Sequence, residues 1–97
     1  MIIVYFAKDK LTLTNHAGNT KLAKLVCCGA SAIVQCAISW FKKTDIKLIK
    51  NDKIPLLSIE LINRSINNQN LLNLIYKQLL ALKKQYSRYI TIKKGKR

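Results

Sequence analysis

Along this chain, alternation of apolar and polar residues with a period of two gives way twice to longer runs with three- and four-residue spacing. Residues 1–7 (MIIVYFA) form a β-prone run, 8–10 (KDK) a polar turn, and 11–16 (LTLTNH) alternates Leu with Thr. Together they predict a β-hairpin. Residues 19–43 predict a helix, with Asn19 or Thr20 as N-cap and Lys42 and Lys43 in its last turn. A second strand pair follows: 45–50 (DIKLIK), the turn 51–53 (NDK) and 54–61 (IPLLSIEL). Leu57, Ile59 and Leu61 share one face of that last run, and Ser58 and Glu60 the other. Pro55 sits near its start, where a missing N–H donor is tolerated. Residues 66–87 predict a second helix, capped by Ser65 or Asn67, with Leu71, Ile75, Leu79, Leu82 and Tyr86 forming its apolar stripe. Residues 88–94 (RYITIKK) read as a last strand. The order ββαββαβ predicts an α+β fold, two helices packed on one mixed or antiparallel sheet. No repeat or linker interrupts residues 1–97, so a single domain is expected.

One segment competes with this reading. Residues 25–41 (LVCCGASAIVQCAISWF) reach the lower length limit for a membrane span and are flanked by Lys24 and Lys42. Gly29, Ala30, Ser31, Ala32 and Ala37 keep the stretch only modestly hydrophobic, and small side chains let a central helix lie close to a sheet. A buried helix is the expectation, with no membrane partner.

Composition narrows the function classes. Hydrophobic residues make up 49% of the chain, which excludes disorder. There are 18 Lys and Arg against 4 Asp and Glu, a net charge of +14. Such a balance suits a polyanion such as rRNA or an acidic membrane surface. A sequence rich in Ile, Lys and Asn produces the same charge without any binding role, and only the tail KKGKR is a true basic run. Cys27, Cys28 and Cys36 are expected as reduced thiols. On a helix Cys27 and Cys36 lie roughly 13 Å apart along the axis, beyond disulfide reach. The start, MIIVYFAKDK, lacks the basic-then-apolar order of a signal peptide, so a cytoplasmic protein is expected.

The candidate chemistry is His16 with Cys27. A thiol attacks as its thiolate, which a neighbouring imidazole or a helix N-terminus favours. His16 is expected at a strand end and Cys27 in the early turns of the following helix, whose free N–H groups could hold an oxyanion. That is the layout of an acyl-transfer site. Equally, a His and a Cys eleven residues apart occur by chance, and a buried cysteine is usually a small hydrophobe. No spacing among His16 and the three cysteines matches a zinc site, and no cofactor is implied.

The residues His16-Ala17, Leu25-Val26-Cys27 and Gly29-Ala30-Ser31-Ala32 resemble the ribosomal-processing cysteine protease family, Prp. Its signature is Gly-His-Ala, a short loop rich in Gly and acidic residues, then Asp-Ile-Val-Cys, small residues and a Ser four positions after the Cys. The motif covers residues 16 to 33, and the element order and length agree over the whole chain. The resemblance implies a cytoplasmic, homodimeric cysteine endopeptidase. Its expected substrate is a large-subunit ribosomal protein, from which it removes a short N-terminal extension after an apolar, aromatic-containing motif. By position, Cys27 is the implied nucleophile and His16 the general base. Cys28 stands where the family commonly has Ala and reads as a packing residue. Ser31 either supports the site by hydrogen bonding or serves helix packing.

Three positions depart from the family. Asn15 replaces the Gly before the His, the loop from His16 to Cys27 is one residue short, and Lys24 stands where the family has Asp. A lysine can neither orient the imidazole nor cap the helix start as an acid does. Asn15 or Asn19 is the expected substitute for holding the ring, as an amide does in papain-like enzymes. The alternative is a catalytically decayed, basic ribosome- or RNA-associated protein of the same fold. Its binding would involve few aromatics, since most of Tyr5, Phe6, Trp40, Phe41, Tyr76, Tyr86 and Tyr89 are expected in the core.

Overall fold

The computed structural model describes residues 1–51 and 55–95. The chain runs β1 Ile2–Ala7, β2 Lys10–Thr14, α1 Lys21–Ala37, β3 Ile46–Asn51, β4 Leu56–Leu61, α2 Ile66–Gln85 and β5 Ile90–Lys94. Short 3₁₀ turns at Ile38–Trp40 and Lys43–Asp45 join α1 to β3. All five strands form one sheet in the order β3-β4-β2-β1-β5. Neighbours are antiparallel except β1 and β5, which run parallel. This is the expected α+β architecture, two helices on a mixed sheet.

Period-two patterning explains the layer. Ile2 and Val4 of β1, Leu11 and Leu13 of β2, and Leu57, Ile59 and Leu61 of β4 are all buried. Register places Val4 opposite Leu13 and Leu11 opposite Ile59, so the apolar side chains form continuous rows beneath the helices. From above, α2 contributes Leu72, Ile75 and Leu79, and α1 contributes Val26, Ala30, Val34 and Ala37. Burying each large aliphatic side chain contributes about 1.5–3 kcal/mol. Both helices start at side-chain caps: Thr20 Oγ1 accepts from the Ala23 N–H and Ser65 Oγ from the Asn68 N–H. Each cap is worth about 1 kcal/mol.

Several expectations need correction. The first helix ends at Ala37, and Lys42 and Lys43 lie beyond it. Tightening into a 3₁₀ turn and extension at Phe41, whose ring is buried, carry the chain back to the core. Nor is the segment 25–41 buried all round. Its inner face meets the sheet, while Leu25 is 64% exposed and Cys28, Ala32, Cys36 and Trp40 also face out. Cys28 is therefore a surface residue, not a packing residue. By length and composition alone, Lys21–Trp40 would suffice to cross a membrane. The second strand stops at Thr14, which leaves Asn15 and His16 in the following loop. Of the aromatics, Tyr5 and Trp40 are exposed, and the other five are buried or half-buried. Of the expected turn 51–53 and the tail KKGKR, Asp52, Lys53, Lys96 and Arg97 lie outside the described residues.

A polar junction ties the second helix to the sheet. Buried Asn68 donates through Nδ2 to Asp45 Oδ2 at 3.1 Å and to the Asn63 carbonyl at 3.0 Å. Asp45 also accepts the backbone N–H groups of Ile62 and Asn63.

Candidate active site

The site lies where β1 begins, β2 ends and β4 begins, beside α1. At the end of β2, Thr14 Oγ1 and the Asn15 N–H both donate to the Pro55 carbonyl, at 2.9 and 3.2 Å. Asn15 then adopts φ 69, the left-handed region that Asn tolerates better than most residues. This turns the chain out of the sheet and sets His16. From the other side, the Met1 amino group donates to the His16 carbonyl at 2.8 Å. Gly18, at φ 143, returns the chain to the helix, and a Cβ there would stand 3.3 Å from the Ala23 Cβ. The loop is short because it is tight.

His16 and Cys27 meet. His16 Nδ1 stands 3.8 Å from Cys27 Sγ. Cys27 is half-buried and packs against the core through its inner side, yet its sulfur reaches the ring. Cys28 and Cys36 are exposed, and all three thiols are free.

Along α1, Cys27, Ser31 and Gln35 succeed one another at four-residue steps and share a wall of one groove. Ser31 Oγ accepts from Gln35 Nε2 at 2.7 Å. The opposite wall is Pro55, Leu56 and Leu57 with Lys50 and Asn51, and Ile2 and Leu13 make the floor. The cleft holds about 240 Å³ and is mainly apolar.

The other predicted residues divide. Asn15 lines the groove, whereas Asn19 is exposed and outside its lining. Among the described residues, the ring's hydrogen-bond partner is the Cys27 sulfur, with no amide from Asn15 or Asn19 and no carboxylate on it. Lys24 is exposed, in an opening turn that carries no acid. The oxyanion expectation changes as well. Cys27 is the seventh residue of α1, so the first unbonded N–H lies about 9 Å away along the axis and not at the sulfur. Among the described residues no three His, Cys, Asp or Glu side chains converge as metal ligands would. Gln35 and Lys50 were missed. The four-residue step from Ser31 signals Gln35, but only the pairing of β3 with β4 brings Lys50 to the groove.

The profile of the cysteine protease Prp family matches residues 1–91. The chain belongs to that family. It is 29% identical over 92 residues to the ribosomal processing cysteine protease Prp of Mycoplasma pneumoniae, covering 94% of this chain and 92% of that protein. The Mycoplasma genitalium Prp is 27% identical over 93 residues, covering 95% and 94%. In fold, the chain matches the crystal structure of the essential ribosomal processing protease Prp from S. aureus in complex with a substrate peptide. The TM-score is 0.85 at 17% identity, over 98% of this chain and 100% of that one. The crystal structure of SMU.848 from Streptococcus mutans matches at TM-score 0.84 and 18% identity, covering 100% and 99%. These likenesses establish the Prp fold, and the family profile establishes a cysteine protease lineage.

Proposed function

We propose that this chain is an active cysteine endopeptidase that trims a short N-terminal extension from a large-subunit ribosomal protein in the cytoplasm. The supporting observation is the 3.8 Å approach of His16 Nδ1 to Cys27 Sγ at the head of a peptide-sized groove. Nδ1 takes the thiol proton as Sγ bonds to the scissile carbonyl carbon. The C–N bond then breaks, the amine leaves with that proton, and a thioester remains. Water, deprotonated by the same nitrogen, attacks the thioester and releases the acid. Sγ recovers the proton. The apolar groove walls suit the apolar, aromatic-containing cleavage motif that the resemblance implies. The ribosomal substrate rests on the relatives named as ribosomal processing proteases.

Homodimerisation is part of this reading. The outer stripe of α1, with Leu22, Leu25, Cys28, Ala32 and Cys36 facing solvent, has the small and apolar surface that helix pairing requires.

Incubation with a peptide spanning the extension and its junction tests the activity. Wild type and Cys28→Ala cleave it, and Cys27→Ala does not. Equal loss in both variants refutes the nucleophile, and no cleavage by wild type favours the decayed, RNA-associated alternative.

A further inference from the structure

The sheet has a second face, turned away from both helices. Across its strands, Lys93 of β5, Tyr5 of β1, Thr12 of β2, Ser58 of β4 and Ile49 of β3 stand in direct register. The next row holds Lys10, Glu60 and Lys47. Tyr5 is 44% exposed, and the Lys93 ammonium lies 5.7 Å from its ring centroid. Thr12 and Ser58 share a hydrogen bond at 3.0 Å in the middle of the face, where Thr12 is half-buried and Ser58 is buried between its neighbours.

Two acids away from these rows are engaged in the fold. Asp9 pairs with Arg64 at 2.9 Å, and Asp45 accepts the Asn63 and Asn68 amides. Glu60 alone opposes the lysines of the two rows, between Lys10 and Lys47.

We propose that this face binds single-stranded nucleic acid. One base stacks on Tyr5, and Lys93 and Lys10 take the adjoining phosphates. An exposed ring on an open sheet, flanked by ammonium groups and hydroxyls, matches what such a strand presents: planar bases, sugars and a regular anionic backbone. An anionic membrane would meet the same lysines, but Tyr5 and Ile49, separated by Thr12 and Ser58, offer little contiguous apolar surface for insertion. The proposal uses neither His16 nor Cys27, so it stands apart from the protease reading.

Fluorescence anisotropy with a short fluorescein-labelled oligouridine, using the full chain, tests it. Wild type binds, Tyr5→Phe retains binding, and Tyr5→Ala weakens it about tenfold. The Lys10→Ala, Lys93→Ala double variant weakens binding and lowers the slope of log affinity against log salt by about 1.4. Cys27→Ala binds as wild type. Identical affinity in wild type, Tyr5→Ala and the double-lysine variant overturns the proposal. So does binding to phosphatidylserine vesicles with none to oligouridine. Sedimentation showing that Tyr5→Ala splits a dimer while oligouridine affinity is unchanged overturns it too, and assigns the face to a second copy of the chain.

Discussion

The backbone N–H of Asn15 donates to the carbonyl of Pro55 at 3.2 Å, joining the residue before the histidine to the residue before β4. This bond, with the left-handed turn at Asn15, determines where the imidazole stands. A β-branched residue cannot adopt that turn without strain of about 1–2 kcal/mol. Asn15→Val is therefore expected to lower the melting temperature by roughly 4–8 °C per kcal/mol and to slow cleavage. Asn15→Gly should keep both. Gly18→Ala should behave like Asn15→Val, because its positive φ and its contact with Ala23 are unavailable to alanine. Thermal melts and initial rates on the three variants check this, and a fully active Asn15→Val would show that the turn does not set the site.

The two sides of α1 give a second contrast. Leu25 on the outer side of α1 is 64% exposed, whereas Ile75 of α2, in the core that the inner side of α1 helps to form, is fully buried. Ile75→Ala should cost about 2–5 kcal/mol. Leu25→Ala should change the folding free energy of the monomer by less than about 0.5 kcal/mol. Its effect is expected instead on dimerisation, read by sedimentation across a concentration series.

Ser31 is bonded to Gln35 and not to the histidine, and both line the channel beyond the sulfur. They are positioned to guide substrate. Ser31→Ala and Gln35→Ala are expected to raise KM severalfold with kcat nearly unchanged. A collapse of kcat in Ser31→Ala would instead give its hydroxyl a part in the chemistry.

Much of this was legible from residues alone, for identifiable reasons. Leu57, Ile59 and Leu61 announced a one-faced strand because a sheet buried on one side permits no other register. Ser65 and Thr20 announced helix starts through their capping hydroxyls. The His16 and Cys27 pairing came from the motif, since eleven residues of spacing say nothing without the turn between them. What stayed hidden depends on contacts distant in sequence. The Pro55 carbonyl reaches Asn15 across 40 positions, and Asn68 reaches Asp45 across 23. Leu25 and Tyr5 are apolar or aromatic yet exposed, and residue type alone does not show which face of an element is left uncovered. The Thr20 cap makes Cys27 the seventh residue of α1, in its second turn, and capping residues alone do not say which helix N–H groups reach a side chain there.

The most direct measurement is the residue-resolved rate of alkylation by iodoacetamide, followed by mass spectrometry on wild type and His16→Ala. Cys28 and Cys36 are the more exposed thiols, so exposure by itself would label them first. Activation by the imidazole reverses that order: Cys27 is expected to react fastest in wild type and to fall behind both in His16→Ala. Labelling that follows exposure in both proteins, with Cys27 slowest and indifferent to residue 16, would contradict the account.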